Sequence, residues 1–384
     1  MITMRIAIIS YDALPDARIE KYINSIKTIY PDTDVYFIGS ARKDSLALIS
    51  PEVFKHVPLS RRLRSYMRYP VLNRIAARKI SRIIRNINPD LLIGINIEGG
   101  SVASIISKKL KIPLLIDHHE IWAIQLKWVK ETGYRLIKHI FKKKYWIKLE
   151  EELLGNNVAT VTSDPIREYF KEKTGNTSLY VVKNYPSIIE IPKQIIPLEC
   201  NKILFANIGT DLLKKDVRIY RDAHLALPFI EKVYMEKPAF EILVLGWKGT
   251  YKNFIKGIGW IRHFEMYKYL TKCHYGLFVS QPSEPHHYNN PNRPYVYAAA
   301  GCIPIITGDW ATVLEDLRGY AIEVDPDSYP TSIYKAIDDS LSIDCNTLNE
   351  LRFKINRHIL ENLYWEKQNN IIRTSIDKSL SYKQ

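Results

Sequence analysis

The chain has 384 residues, enough for two domains that each bury a core of their own. Its hydrophobic fraction of 46% and charged fraction of 25% are those of a soluble globular protein and exclude a wholly disordered chain. The best membrane-span candidate, residues 102–116, is broken by Lys108, Lys109 and Lys111, so no spanning helix is predicted. The N-terminus lacks a signal-peptide layout. Four scattered cysteines favour neither a disulfide framework nor a zinc site, so we expect a reducing, cytoplasmic location.

The whole chain has a formal net charge of +14, and its basic residues are concentrated in the first part. Ten lie between Val53 and Pro89, where there is no acidic residue: Lys55, Arg61, Arg62, Arg64, Arg68, Arg74, Arg78, Lys79, Arg82 and Arg85. A second basic cluster is interleaved with aromatic residues: Lys138, Phe141, Lys142, Lys143, Lys144, Tyr145, Trp146 and Lys148. Two interpretations stay open, a solvated helix face or a surface that meets anionic lipid headgroups with its aromatics at the interface. No nucleic-acid-binding motif accompanies the charge, so nucleic acid is not an expected partner.

Strand and helix patterns alternate through the first half of the chain. A buried-strand pattern over residues 5–10 precedes a turn, a helix over 18–29 and a strand over 34–39, which predicts a parallel sheet covered by helices. The first turn lacks the three-glycine dinucleotide fingerprint, which disfavours a nicotinamide cofactor. The later predicted elements are a helix over 70–88, a strand over 90–96, a helix from a Ser101 cap to 110, a strand over 112–116, helices over 121–154 broken near 132–133, a strand over 157–162, a helix after Ser163 and a strand over 179–183.

The segment Asp117-His118-His119-Glu120 directly follows the predicted strand over residues 112–116. Ligands of open α/β sheets bind outside the carboxyl ends of the strands. The segment is therefore a candidate site in which imidazoles and carboxylates face a crevice. The alternative, which stays open, is a helix cap by Asp117 with the histidines on the surface.

A second α/β series follows residues 187–200, which contain two prolines and little periodicity and are the predicted linker. A strand over 202–206 leads to a turn at Gly209 and to Lys214 and Lys215, which open a predicted helix. A glycine turn with lysines after the first strand of a domain suits phosphate binding. Further strands are predicted over 240–246 and 275–280, and the region 348–380 is predicted to be mostly helical.

The stretch from Glu284 to Asp309 has the most informative pattern of the second half. Pro291 and Pro294 precede a small-residue helix over residues 295–300, which Gly301 ends before a short apolar strand. Arg293 lies at the start of that helix, so a guanidinium and free helix amides coincide there. Such a combination suits a phosphate group.

Four motifs spread along the chain carry a resemblance to a known family. They are Asp117-His118-His119-Glu120, VVKNYP (181–186), PNRPYVYAAAGCIPII (291–306) and YWEKQ (364–368). In these motifs the sequence resembles the nucleotide-sugar glycosyltransferases of family 4, which have the GT-B fold. The resemblance covers nearly the full length, and the third motif is the most specific of the four.

The resemblance implies an α/β architecture of two facing Rossmann-like domains, with parallel sheets and helices on both faces. The implied boundaries are an N-terminal acceptor domain at 1–186, a linker at 187–200 and a nucleotide-sugar domain at 201–360. A C-terminal helix at 361–384 would pack back on the first domain.

The resemblance also implies roles for particular residues. His119 would lie near the transferred sugar, with Asp117 as a second catalytic candidate. Gly209 would let the backbone approach a diphosphate that Lys215 and Arg293 hold. The adjacent residues complete the predicted donor-binding set: Lys214, Asn292 and Tyr295. The donor would be a UDP- or GDP-linked sugar, which is a substrate, so no separate cofactor and no metal are expected.

One departure from the family concerns its acidic residues. The family has Glu where this chain has Val296, and often a second Glu where it has Tyr288. The later Glu usually contacts the nucleotide ribose, and the earlier one contacts the sugar hydroxyls. Glu284 is the candidate substitute, and His286 and His287 lie nearby in the sequence.

The predicted function is a retaining, metal-independent glycosyltransferase of the hexosyltransferase type, acting on a glycan or lipid-linked acceptor in polysaccharide biosynthesis. The basic first domain would attach it peripherally to the inner membrane face. Two alternatives stay open: a nucleotide-sugar 2-epimerase on the same fold, and a non-catalytic nucleotide-sugar-binding or scaffold protein that has lost the acidic residues.

Overall fold

A computed structural model of the chain describes residues 3–41, 46, 48–69, 72–128, 134–214 and 222–381, with only the backbone described for 134–143. The described residues form two compact units. Unit 1 contains the described residues up to 126, residues 134–183 and residues 368–381. Unit 2 contains residues 127, 128, 184–214 and 222–367. Each unit is a sheet flanked by helices, which confirms the predicted α/β class with two Rossmann-like halves.

The described strands of unit 1 form one seven-stranded sheet, in which every paired strand runs parallel. The strands, in the spatial order β3-β2-β1-β4-β5-β6-β7, are β1 (Arg5–Leu14), β2 (Asp34–Ala41), β3 (Lys55–Pro58), β4 (Leu91–Ile95), β5 (Leu114–His118), β6 (Val158–Val161) and β7 (Leu179–Val181). The helices are α1 (Ala17–Ile29), α2 (Arg61–Met67), α3 (Leu72–Ile87), α4 (Asn96–Leu110), α5 (Trp122–Gln125), α6 (Tyr134–Asn156), α7 (Asp164–Thr174) and, from the end of the chain, α15 (Asn369–Ser381).

Unit 2 also has a seven-stranded sheet among its described residues. Its strands, in the order β10-β11-β9-β8-β12-β13-β14, are β8 (Ile203–Ile208), β9 (Phe240–Leu245), β10 (Lys248–Tyr251), β11 (Ile255–Gly259), β12 (Tyr275–Phe278), β13 (Ile303–Thr307) and β14 (Ile322–Val324). Its helices are α8 (Leu227–Glu236), α9 (His263–Leu270), α10 (Glu284–Tyr288), α11 (Asn292–Ala299), α12 (Ala311–Asp316), α13 (Ser332–Leu341) and α14 (Cys345–Asn362). The edge strand β10 pairs antiparallel with β11, a hairpin that the sequence patterns did not predict.

Local sequence explains many of these element boundaries. The side chain of Asp16 accepts hydrogen bonds from the first amides of α1, and Ser163 caps α7 in the same way. Gly175 ends α7 and Gly301 follows α11, both with the positive φ angles that glycine tolerates best. The central strands β4 and β13 are buried along their whole length, as expected for parallel strands covered on both faces.

Two predicted boundaries in unit 1 were wrong. Strand β1 continues to Leu14 through residues that were predicted as a turn. Helix α4 begins at Asn96 rather than after a Ser101 cap, and the Ser101 hydroxyl instead donates to the carbonyl of Glu98 from within the helix. The glycines of α4 explain this, because a Cβ at Gly99 would lie 2.3 Å from the carbonyl oxygen of Ile9. They permit close packing of a helix on a strand rather than forming a turn.

The C-terminal helix α15 belongs to unit 1, as predicted. It packs on α1, where the Ser25 hydroxyl donates to Asn369 at 2.7 Å. Just before it, the Gln368 amide accepts from the backbone N–H of Lys183 and donates to the carbonyl of the same residue. The polar residues of the YWEKQ motif therefore anchor the last helix to the end of the first α/β series.

The predicted lipid-facing surface of unit 1 consists of the basic residues between 55 and 85 and the basic and aromatic residues between 138 and 148. The basic side chains between 55 and 85 are exposed, apart from a half-buried Arg64. Trp146, however, is completely buried, with its ring tilted against that of Trp122, so its proposed place at a membrane interface was wrong. Lys138, Phe141, Lys142 and Lys143 lie outside the described side chains. No helix in the described ranges combines the length and apolarity that a membrane crossing requires.

The prediction that the cysteines form no disulfide was wrong. Cys200 and Cys345 are bonded, with Cα atoms 5.7 Å apart and 145 residues between them in sequence. The bond joins residues 187–200, which lie in unit 2, to the first turn of α14. Asn349 and Arg352 of α14 strengthen this attachment through hydrogen bonds to the carbonyls of Leu198 and Ile196. Cys273 and Cys302 are buried free thiols.

Replacing Cys345 with Ser should lower the free energy of unfolding by about 2–4 kcal/mol under oxidising conditions, because the unfolded chain loses its cross-link. Urea unfolding measures this difference. Adding dithiothreitol should reduce the wild type to the stability of the variant. Equal stabilities of the two proteins without reductant would show that the bond does not form.

Candidate functional site

The carboxyl ends of the parallel strands bring most of the predicted residues to one edge of each sheet. In unit 1 this edge includes Asp117 and His118, the last residues of β5, and His119 beyond them. In unit 2 it includes Gly209 after β8 and the segments that follow β12 and β13.

Asp117 is the centre of the polar network in unit 1 and is fully buried. Its two carboxylate oxygens accept from Nη2 and Nε of Arg18 at 2.7 and 3.0 Å. His119 Nε2 lies 2.8 Å from the same carboxylate, and the Thr160 hydroxyl donates to it at 2.8 Å. Burial alone would raise the pKa of Asp117, but the charges of Arg18 and His119 outweigh burial and hold that pKa far below its usual value. Asp117 is therefore a fixed anion that orients the His119 ring.

The other members of the DHHE segment have different surroundings. His118 is buried, and its Nε2 lies 2.8 Å from Glu150, so its role is structural. His119 is partly exposed, and its backbone N–H donates to the Asn96 side chain. Asn96 also donates to Asp12 at the end of β1, where burial and the nearby Asp16 raise the pKa of the Asp12 carboxyl. Asp12 is a site residue that the sequence patterns did not single out.

In unit 2, helix α11 holds both backbone groups of Ile208, the last residue of β8. The N–H of Ile208 donates to the hydroxyl of Tyr297 at 2.8 Å, and its carbonyl accepts from Arg293 Nη1 at 2.7 Å. Tyr297 lies flat over Gly276, where a Cβ would come within 2.2 Å of the ring. The Gly209 turn, with φ of 106°, is thus fixed in front of the Arg293 guanidinium.

Arg293 and Gly209 lie together, as the phosphate hypothesis requires. A Cβ at Gly209 would lie 3.5 Å from Arg293 Nη1, so the absence of a side chain leaves access to the guanidinium. The guanidinium stacks on the Phe278 ring at 4.8 Å and is paired with Asp211 at 2.6 Å. An anion that binds here must therefore share Arg293 with a carboxylate of the same turn.

The structure gives the remaining predicted donor-site residues varied positions. Lys214 is exposed at the edge of the described region, and Lys215 lies outside it. Tyr295 is buried, with its hydroxyl donating to Asp316 and accepting from Asn290, so its polar group is bound within the protein. Asn292 begins α11, and its Oδ1 is buried without a hydrogen-bond partner in the described chain.

Glu284, the predicted substitute for the family glutamate, is exposed and pairs with Lys127 at 3.2 Å. Val296 is buried among apolar side chains of unit 2. The acid that lies inside the loops of this edge is Asp309, just beyond β13. Its Oδ2 accepts from the backbone N–H of Ser283 at 2.7 Å and lies 2.5 Å from His286 Nδ1.

His286 connects this acid to an aromatic layer. The buried imidazole stacks on Trp310 with ring centroids 3.8 Å apart, and Trp310 in turn contacts Phe278 at 4.8 Å. Since Phe278 also carries the Arg293 guanidinium, Arg293 and Asp309 belong to one continuous cluster. The sequence signal for Asp309 was its position directly after a predicted strand.

Several buried polar atoms of this edge have no hydrogen-bond partner within the described residues. They are Asp211 Oδ1, His224 Nδ1, Ser283 Oγ, Asn292 Oδ1, Asp309 Oδ1, Trp310 Nε1, Thr312 Oγ1 and Tyr329 Oη. Each such atom costs about 1–3 kcal/mol if it stays unpaired, so their concentration indicates a place that a polar ligand or water fills. Carboxylate oxygens among them suit ligand hydroxyls as donors.

Comparison with solved structures identifies the fold. The chain superimposes on sucrose-phosphate synthase from Thermosynechococcus elongatus with a TM-score of 0.72, at 11% identity over 98% of each chain. For Anabaena Alr3699/HepE in complex with UDP and glucose the TM-score is 0.68, at 11% identity over 97% of this chain and 99% of that one. For trehalose-6-phosphate synthase from Burkholderia multivorans it is 0.63, at 10% identity over 99% and 98%.

These similarities extend over both units and give the chain the GT-B fold. At such low identities they establish the fold alone. No protein-family model matches the sequence, and no curated protein sequence matches it either.

Replacing Arg18 with Met should lower the free energy of unfolding by about 3–5 kcal/mol, because it leaves the buried Asp117 carboxylate without its main partner. Since the Asp117 pKa is lowered on folding, this carboxylate stabilises the protein above its unfolded pKa, and the contribution is lost only as pH falls through the folded value. The deficit should therefore persist in urea unfolding between about pH 5 and 8.

Lys55→Met is the matched control, because it removes one cation from an exposed ion pair with Asp34. Its cost should stay below about 1 kcal/mol. Similar costs for the two variants would contradict a special role for the Arg18–Asp117 pair.

Proposed function

We propose that this chain is a glycosyltransferase that uses a nucleotide-sugar donor, bound at the carboxyl edge of the unit 2 sheet. The observation that carries the proposal is the cluster in which Arg293 lies at an open glycine turn beside a row of unpaired polar atoms. The GT-B fold and the UDP complex of HepE support the same conclusion.

In this proposal the diphosphate lies against Gly209 and the first turn of α11, where backbone N–H groups and Arg293 favour negative charge. Charge grows on the leaving phosphate oxygens as the glycosidic bond breaks. A guanidinium held in advance by Ile208 and Phe278 stabilises that charge without further rearrangement, which is the main route to catalysis. With this cation in place, we assign no step to a metal ion.

The Asp309–His286 pair takes the place of the family's acidic residues in our proposal. Oδ2 of Asp309 is occupied by His286 and Ser283, whereas Oδ1 is buried and unpaired, so it is available to a hydroxyl of the sugar or the ribose. The N–H of Trp310 offers a complementary donor nearby. This assignment replaces Glu284, whose carboxylate is exposed.

The acceptor side is assigned to unit 1, where Asp117 orients His119 at the carboxyl edge. We propose a hexosyl transfer with retention of configuration to a glycan or lipid-linked acceptor, within polysaccharide biosynthesis. The exposed basic side chains of α2 and α3 support attachment to an anionic membrane surface. A cytoplasmic location on the inner membrane face is part of the same proposal.

A non-catalytic nucleotide-sugar-binding protein is the second candidate. The buried, apolar environment of Val296 favours it, because no carboxylate can occupy that position of α11. The two candidates share the donor site and differ only in turnover.

Incubation with a panel of UDP- and GDP-sugars should release nucleoside diphosphate, slowly with water and faster with an acceptor glycan. Coupled detection of the released diphosphate measures the rate, and mass spectrometry identifies the product. Conversion of the donor sugar to its 2-epimer without an acceptor would identify an epimerase instead. Binding of UDP without turnover of any donor would favour the non-catalytic candidate.

Two substitutions should change UDP affinity in opposite directions. Arg293→Gln should raise the Kd at least tenfold, because it removes a charge-assisted contact. Asp211→Asn should lower the Kd about three- to tenfold, because it removes the carboxylate that competes for Arg293. Isothermal titration calorimetry measures both values.

Lys354→Gln serves as the control, because it removes one positive charge from the exposed face of α14. Its Kd for UDP should match the wild type within about twofold. An unchanged Kd in Arg293→Gln would remove the phosphate assignment. A higher Kd in Asp211→Asn would mean that Asp211 contacts the nucleotide directly.

A further inference from the structure

A groove of about 420 Å³ lies in unit 1 between helices α3, α4 and α6. Side chains of these three helices line it, and residues of the loops after the strands do not. The groove is therefore separate from the carboxyl edge that carries Asp117 and His119. Its volume falls within the usual range for small-molecule sites. The nucleotide-sugar site proposed above does not use it.

Three cationic side chains line the groove, one from each helix: Arg74, Lys108 and Lys148. One carboxylate opposes them, Glu152, which lies 4.0 Å from Lys148. The groove therefore has an excess of positive charge. Three long, exposed cations on separate helices around one groove favour a phosphate group, which offers several anionic oxygens to share among them.

The wall of the groove contains one buried polar atom without a hydrogen-bond partner among the described residues, on Asn73. Asn73 is 1% exposed, and its Nδ2 donates to the Tyr145 hydroxyl at 3.0 Å. Its Oδ1 is buried and has no hydrogen-bond partner in the described chain. Ser104 is also buried on this wall. An unpaired buried carbonyl oxygen requires a donor, which the dianion of a phosphate monoester does not supply but a sugar or polyol hydroxyl does.

The remaining wall is apolar and aromatic. Ile105, Leu149 and Leu153 line it together with the ring of Tyr145. Such a surface suits the carbon skeleton of a polyol, while the polar groups accept hydrogen bonds from its hydroxyls. The groove thus combines a cationic rim, hydroxyl acceptors in Asn73 and Glu152, and an apolar wall.

We propose that this groove binds a phosphorylated sugar or polyol, with its phosphate on Arg74, Lys108 and Lys148 and a hydroxyl on Asn73. The site is independent of the proposed donor site in unit 2. The ligand is either a soluble sugar phosphate or a lipid headgroup with the same chemistry, such as phosphatidylglycerol.

The test is calorimetric titration of the full chain with glucose 6-phosphate, glucose and inorganic phosphate. Glucose 6-phosphate should bind at least tenfold more tightly than either of the other two. Lys108→Gln combined with Lys148→Gln should weaken its binding at least tenfold. Lys171→Gln combined with Lys173→Gln, a matched loss of two charges from exposed positions of α7, should change it less than twofold.

Titration of Arg293→Gln with glucose 6-phosphate should give the wild-type affinity. This result would show that the groove binds its ligand independently of the proposed donor site, whether or not that site binds a nucleotide sugar. Co-sedimentation with phosphatidylglycerol vesicles, against phosphatidylcholine, distinguishes the lipid source. Vesicle binding lost in the groove variant but kept in the α7 control assigns the headgroup. Absence of both glucose 6-phosphate and phosphatidylglycerol binding, or equal losses in the two double variants, overturns the proposal.

Discussion

The arrangement of the unit 2 site depends on the way helix α11 holds a single residue, Ile208. Tyr297 accepts from its N–H and Arg293 donates to its carbonyl, so the end of β8 and the start of α11 form one rigid piece. Gly276 makes this possible because only a residue without a side chain leaves room for the Tyr297 ring. The glycine turn after β8 and the guanidinium therefore have fixed positions before any ligand binds, as a preorganised anion site requires.

A similar principle organises unit 1 with a different chemistry. Asp117 stays ionised in a completely buried position because Arg18 supplies two hydrogen bonds and an opposite charge. That buried anion fixes the ring of His119 at the carboxyl edge of the sheet. In unit 1 a helix arginine thus holds a carboxylate at the end of a parallel strand, and in unit 2 a helix arginine holds the backbone at the end of one. These contacts leave the His119 ring in unit 1 and the Arg293 guanidinium in unit 2 at the edge where α/β proteins bind ligands.

Sequence patterns predicted the α/β class and most central elements, because continuous apolar runs such as β4 and caps such as Ser163 act locally. They failed where the cause was distant in the chain. Helix α4 was predicted to begin after a Ser101 cap, although its glycines lie within the helix and permit packing on Ile9. The Cys200–Cys345 bond spans 145 residues, and no spacing rule reveals it. Arg293 was found from its local motif, whereas its partner Asp211 and the Asp309–His286 pair required the fold.

The central claim is that the cluster from Arg293 to Asp309 binds a nucleotide-sugar donor. A crystal structure of the chain soaked with UDP-glucose tests it most directly. We expect diphosphate density against Gly209 and Arg293, with a ligand hydroxyl within about 3 Å of Asp309 Oδ1. Nucleotide density elsewhere on unit 2, or a diphosphate that leaves the Arg293–Asp211 cluster uncontacted, would contradict it.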